Sequence, residues 1–95
     1  MYKLDTTKRF DKALKLCKKR GYPIEDLRKA IAILVEKGCL PKEYKPHILH
    51  GNHEGEWEAH INPDWLLVWE QNDEKLTLLM LTTGTHSDVF GKTRR

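Results

Sequence analysis

Between Lys8 and Arg20 the apolar residues Phe10, Ala13, Leu14 and Cys17 recur at spacings of three and four, which predicts a helix with one buried stripe. Its other face carries Lys8, Arg9, Lys12, Lys15, Lys18, Lys19 and Arg20, and Gly21 stands where such a helix stops. A second stripe of Ile24, Leu27, Ile31, Leu34 and Val35 begins just after Pro23, which suits the first helical position, and ends at Gly38. Glu25 and Asp26 complement the positive end of that helix. Two amphipathic helices joined by so short a turn are expected to pack as a hairpin.

The periodicity then changes. Trp57, Ala59 and Ile61 alternate with Glu56, Glu58 and His60, the signature of a half-buried strand. Asn62, Pro63 and Asp64 form a turn before the continuous apolar run Trp65, Leu66, Leu67, Val68, Trp69, which reads as a central strand. After a polar loop from Gln71 to Lys75, the run Leu76 to Leu81 supplies another strand, antiparallel to the last because the loop is only long enough for a hairpin. Residues Tyr2 to Asp5 fit a short strand ahead of a Thr6, Thr7 helix cap. The expected fold is α+β, in the order β-α-α-β-β-β, with the helical hairpin on one face of a mainly antiparallel twisted sheet. Leu40 to Gly55, with its prolines, glycines and histidines, is left as an irregular and functional connection.

At 95 residues the chain is one domain, 1–95, with a single core. No apolar run reaches the roughly 20 residues needed to span a bilayer and no signal segment is visible, so a soluble cytoplasmic protein without membrane partners is expected. Cys17 and Cys39 then read as reduced side chains. The net charge of +3 hides a division: residues 1–47 hold 13 basic against 6 acidic side chains, residues 48–91 one basic against 8 acidic, and the tail is Lys92, Thr93, Arg94, Arg95. Such asymmetry suits a polyanion on the basic part, with two solvated faces as the plainer alternative.

All five histidines, His47, His50, His53, His60 and His86, fall within one forty-residue stretch. Zinc is one reading, with His47, His50, His53, His60 and Asp64 as ligands, but no helix brings the loop histidines together and neither cysteine is near. Acid/base chemistry suits His60 and His86 better, because imidazole titrates near pH ~6.5. His60 shares a strand face with Glu58, and His86 follows the end of a strand. Two histidines and a carboxylate suffice to deprotonate an RNA 2'-hydroxyl and protonate the leaving 5'-oxygen without metal or other cofactor. His50 and His53 read as loop histidines.

The string from His47 through Phe90 resembles the YafQ branch of the RelE toxin superfamily. The likeness rests on His47 before Leu49 and Gly51, then Trp57, the block His60, Ile61, Asn62, Pro63, Asp64, Trp65, and the block Thr83, Gly84, Thr85, His86, Ser87, Asp88, Val89, Phe90, Gly91. The resemblance implies a RelE-like fold, a ribosome-dependent messenger RNA endonuclease that inhibits translation, and a cognate antitoxin of the DinJ/RelB kind. It implies His86 as general acid, and His47, His60 and Asp64 as the groups that activate the 2'-hydroxyl and steady the phosphate. It implies Phe90 as the aromatic residue that places the nucleotide; Trp65 either lines the site or anchors the core. Lys8, Lys12, Lys15, Lys18 and Lys19 would face ribosomal RNA, and an acidic antitoxin segment would fold along the same helix.

Thr82 departs from the pattern, since relatives place an arginine directly before the Thr, Gly, Thr, His block. A lost cationic donor of that kind costs on the order of 10² to 10³ in rate. Compensation by Arg94, Arg95 or a helix lysine, reliance on a protonated histidine, and an attenuated enzyme all remain open. The alternative function is a non-catalytic binding module on the same scaffold, with weakened or absent nuclease activity.

Overall fold

The computed structural model describes residues 1–51 and 55–91. His53 and the basic tail therefore lie outside the described residues.

Two helices form where the periodicity places them. α1 spans Lys8–Lys19 and is capped by the Thr7 hydroxyl, which accepts from the Phe10 amide. α2 spans Ile24–Lys37 and ends at Gly38, whose left-handed φ of 74° carries the reversal into the following chain. A Cβ at Gly38 would lie 2.4 Å from the Tyr2 ring, so side-chain-free backbone is required there twice over. Pro23 precedes α2 as its N-cap instead of occupying its first turn.

The strands are β1 (Lys3–Thr6), β2 (His47–Ile48), β3 (Glu56–Asn62), β4 (Trp65–Asn72) and β5 (Thr77–Gly84), in the sheet order β1-β5-β4-β3-β2. β2, β3, β4 and β5 are successively antiparallel, while β1 lies parallel to β5 at the edge. The expected order is thus extended by one strand and one further helix, besides a short turn. The loop from Leu40 to Gly55 contains a 3-10 turn at Lys42–Tyr44 and the two-residue β2, and the chain after β5 forms a third helix, α3, over His86–Phe90. Neither has a periodic signal of its own. β2 exists only through its pairing with β3, and α3 is fixed by a capping box in which Thr85 Oγ1 accepts from the Asp88 amide and Asp88 Oδ2 from the Thr85 amide.

The core lies between the helices and one sheet face. Phe10, Cys17, Leu27, Ala30 and Leu34 from α1 and α2 pack on Ala59, Trp65, Leu67, Trp69, Leu78 and Met80. Both cysteines are free, Cys17 buried and Cys39 exposed. A smaller cluster of Leu66, Val68 and Val89, flanked by Leu49 and Leu81, occupies the opposite face under α3. Among the described residues no helix is long and apolar enough to cross a membrane.

A bulge decides which face the end of β5 presents. Val68 pairs with Thr82 and Trp69 with Met80, so Leu81 is an extra residue and the alternation inverts after it. Leu78 and Met80 point to the helices before the bulge. Beyond it, Thr83 takes the helix side and Thr82 and Gly84 share the other face with Val68 and Leu66. The start of α1 is tied to the same bulge, with the Thr7 hydroxyl donating to the Leu81 carbonyl at 2.9 Å.

Candidate active site

The face away from α1 and α2 carries the titratable groups. Register places Glu58 opposite Val68 and His60 opposite Leu66, and the β2–β3 pairing places His47 opposite Glu58. Strand alternation therefore gathers His47, Glu58, His60, Thr82 and Gly84 on one surface. α3 follows Gly84 at its rim, bringing His86 and Phe90, one turn apart, beside them.

His86 is held by Asp64. The Asp64 carboxylate lies 2.9 Å from His86 Nδ1 and 3.3 Å from the His86 backbone amide, so one oxygen grips both the ring and the first residue of α3. These bonds to His86, the side-chain one foremost, hold the Asp64 carboxyl below its usual range. With a carboxylate as acceptor, Nδ1 carries the hydrogen and Nε2 faces outward to exchange a proton. Both side chains remain open to solvent and substrate, 55% exposed for His86 and 70% for Asp64.

His60 is oriented by backbone. Its Nδ1 lies 3.4 Å from the Pro63 carbonyl, a bond that requires a hydrogen on Nδ1 and leaves the lone pair on Nε2. The Asn62, Pro63, Asp64 turn thus serves two histidines, supplying the carbonyl for one and the carboxylate for the other. The two rings approach with centroids 5.9 Å apart at an angle of 57°.

His47 is held differently. Its Nε2 is 3.1 Å from Glu58 Oε1 and its Nδ1 is 3.0 Å from the Lys45 carbonyl. The ring is thus held from both sides, by a carboxylate and by a backbone carbonyl. Glu58 has a different partner from the one that its spacing suggests. Two-residue spacing pointed to His60, whereas the hairpin gives Glu58, only 5% exposed, to His47.

The remaining candidates separate clearly. Trp65 faces the helices at 2% exposure, donates Nε1–H to Thr83 Oγ1 at 2.9 Å and packs edge-on against Tyr22 with centroids 5.0 Å apart. Of its two readings, burial and these contacts fit the core anchor. Thr82 does lie on the site face but is only 4% exposed, beside the cluster under α3. Phe90 is 39% exposed at the end of α3. Lys8, Lys12, Lys15, Lys18 and Lys19 are all exposed along α1, whereas Arg9 of the same helix and Arg20 at its C-cap turn to α3. His50 is exposed beside Gly51 and joins none of these pairs.

A helix pair on one face of a five-stranded mixed sheet is the RelE-like toxin architecture. The family model for the bacterial toxin of type II toxin-antitoxin systems, YafQ, matches residues 2–91, and the chain belongs to that family. The mRNA interferase toxin YafQ of Escherichia coli K12 is 35% identical over 83 residues, covering 86% of this chain and 88% of that protein. The toxin in the crystal structure of the E. coli DinJ–YafQ complex superposes with a TM-score of 0.86 at 32% identity, over 96% of this chain and 100% of that one. A metal-bound toxin from Helicobacter pylori gives 0.85 at 36% identity, over 95% of this chain and all of that one. Among the described residues here, no three His, Cys, Asp or Glu side chains form a group able to hold a metal ion, and no step below is routed through one.

Proposed function

We propose that this chain is an mRNA interferase: a ribosome-dependent endoribonuclease toxin of the cytoplasm that cuts translated messenger through the RNA 2'-hydroxyl. The observation that carries this reading is the pairing of His86 Nδ1 with Asp64 at 2.9 Å, next to a His60 ring whose Nδ1 is taken by the Pro63 carbonyl. Each ring keeps Nε2 for the substrate. His60, with a lone pair there, takes the proton from the 2'-hydroxyl; that oxygen attacks phosphorus; and His86, protonated, returns a proton to the departing 5'-oxygen, leaving a 2',3'-cyclic phosphate. General acid and base catalysis of this kind contributes ~10² to 10⁴ per group.

The His47–Glu58 pair stands on the same face, where His47 steadies the phosphate, the role that an arginine at position 82 would fill. Phe90 stacks on a base, worth ~1 to 3 kcal/mol. The lysines of α1 contact ribosomal RNA phosphates and read no sequence. A DinJ/RelB-like antitoxin is the cognate partner, in keeping with the DinJ–YafQ complex of the relative.

The test is expression in bacteria with primer extension on a translated message. In-frame cuts that vanish in His86→Ala and His60→Ala, with folding and antitoxin binding retained, are expected. Persistence of the toxic effect in His86→Ala without any cuts would instead favour a binding module.

A further inference from the structure

α3 has five residues, too short to be stable alone, because helix nucleation fixes several residues for one hydrogen bond. Its position sets that of His86, its first residue, and Arg9 of α1 and Arg20, the C-cap of α1, reach across to hold it. Arg20 meets the Asp88 carboxylate through both terminal nitrogens, Nη1 to Oδ2 at 2.5 Å and Nη2 to Oδ1 at 3.3 Å. Arg9 donates from Nη2 to the Val89 carbonyl at 3.1 Å, near the end where α3 leaves its last carbonyls unpaired.

The Asp88 carboxylate is shared. Besides Arg20 it accepts the Thr85 amide at 2.9 Å, closing the capping box one residue before His86. The fit behind it is close: a Cβ on Gly84 would lie 2.8 Å from Asp88 Cβ and Oδ2. Arg20 is in turn fixed from behind, its guanidinium carbon 6.0 Å from the centre of the Tyr22 ring, and Tyr22 packs on the buried Trp65. A chain of direct contacts thus runs from the core through Tyr22, Arg20 and Asp88 to the turn that aims His86 at Asp64.

We infer that Arg20 is a positioning residue for the catalytic His86, acting through the Arg20–Asp88 pair to set α3 where Asp64 can grip the His86 ring. The inference rests on the nuclease reading for its consequence in rate, though not for its geometry. It also separates the basic residues of α1 by task, with exposed lysines for polyanions and Arg20, together with Arg9, for the helix beneath.

The test compares wild type with Arg20→Gln and Arg20→Lys, at a temperature where near-ultraviolet circular dichroism shows all three folded. Two quantities are read: steady-state cleavage, and the proton resonance of His86 Nδ1–H, which lies downfield when hydrogen-bonded to a carboxylate. Arg20→Gln is expected to lower kcat about tenfold to a hundredfold, as displacement of a catalytic group does, with KM unchanged. The Nδ1–H resonance should move upfield or broaden away in the same variant, and Arg20→Lys should restore part of both. A rise in KM with kcat unchanged would make Arg20 an RNA contact and overturn the inference. So would a fall in kcat with the His86 resonance unmoved. If wild type cuts no RNA at all, the nuclease reading falls, and the resonance in Arg20→Gln still decides whether Arg20 sets His86.

Discussion

His47 and Glu58 face each other across the β2–β3 hairpin, Nε2 to Oε1 at 3.1 Å, with the carboxylate buried and the imidazole half exposed. The pair is asymmetric in what each partner loses when the other is removed. Without His47, Glu58 is a buried carboxylate lacking its donor, a state that costs ~1 to 3 kcal/mol. His47→Ala should therefore lower stability by that order as well as activity, whereas His47→Ala combined with Glu58→Gln should recover much of the stability and none of the activity. Urea unfolding midpoints of the single and double variants measure the difference.

Thr82 lies on the site face opposite Val68, beside the cluster of Leu66, Val68 and Val89, and is itself buried. An arginine there would have to lift its head group over that cluster, so Thr82→Arg should cost ~1 to 3 kcal/mol from overpacking. With the His47–Glu58 pair already on the same face, the gain in wild-type background should fall well short of the ~10² to 10³ assigned to a lost donor. In a His47→Ala background the same substitution should restore cleavage. Single-turnover rates of the four combinations decide the point.

Among the described residues the exposed lysines of α1 have no ion-pair partner, and their loss should leave stability alone. Lys12→Ala and Lys15→Ala should each reduce the slope of log binding constant against log salt for ribosomes by about one. Cleavage chemistry at saturating ribosome concentration should not change.

Acid should unfold the protein through Asp88 before it does so through ordinary surface carboxylates. Its bond to Arg20 holds the carboxyl down to about 2, against ~3.9 in the unfolded chain. A folded value below the unfolded one means stability that is fully present above pH ~4 and lost as pH falls toward about 2. Asp64, through His86, and Asp73, through the Tyr2 hydroxyl, shift in the same direction. Asp88→Asn should therefore lower stability at neutral pH and flatten only part of the acid limb, as followed by denaturant midpoints across that range.

Much of this arrangement was legible in the sequence, because much of it depends on periodicity. The three- and four-residue spacing located α1 and α2, and alternation put Glu58 and His60 on one face of β3. What it could not supply was partnership across the fold. Glu58 lies two residues from His60, yet register with β2 gave it to His47. Leu81 looks like any strand residue, but as a bulge it turns Thr82 toward the site. α3 left one trace, a threonine and an aspartate three apart at Thr85 and Asp88, which is the capping-box spacing. Arg9 and Arg20 were indistinguishable by composition from the lysines around them, because only the third dimension shows which cations turn inward.

β1 pairs in parallel with β5, Lys3 with Thr77 and Thr6 with Met80, so the strand synthesised first must wait for one synthesised far later. Pairing at such sequence separation is slow to form and cannot begin until the distant partner exists. α1 is anchored to the same late strand at Leu81 and to α3 at Asp88 and Val89. A growing chain accordingly has its lysine-rich helix long before it has an aligned His86. The alignment of His86 against Asp64 is therefore a late event of folding, contingent on β5 and α3 both being in place.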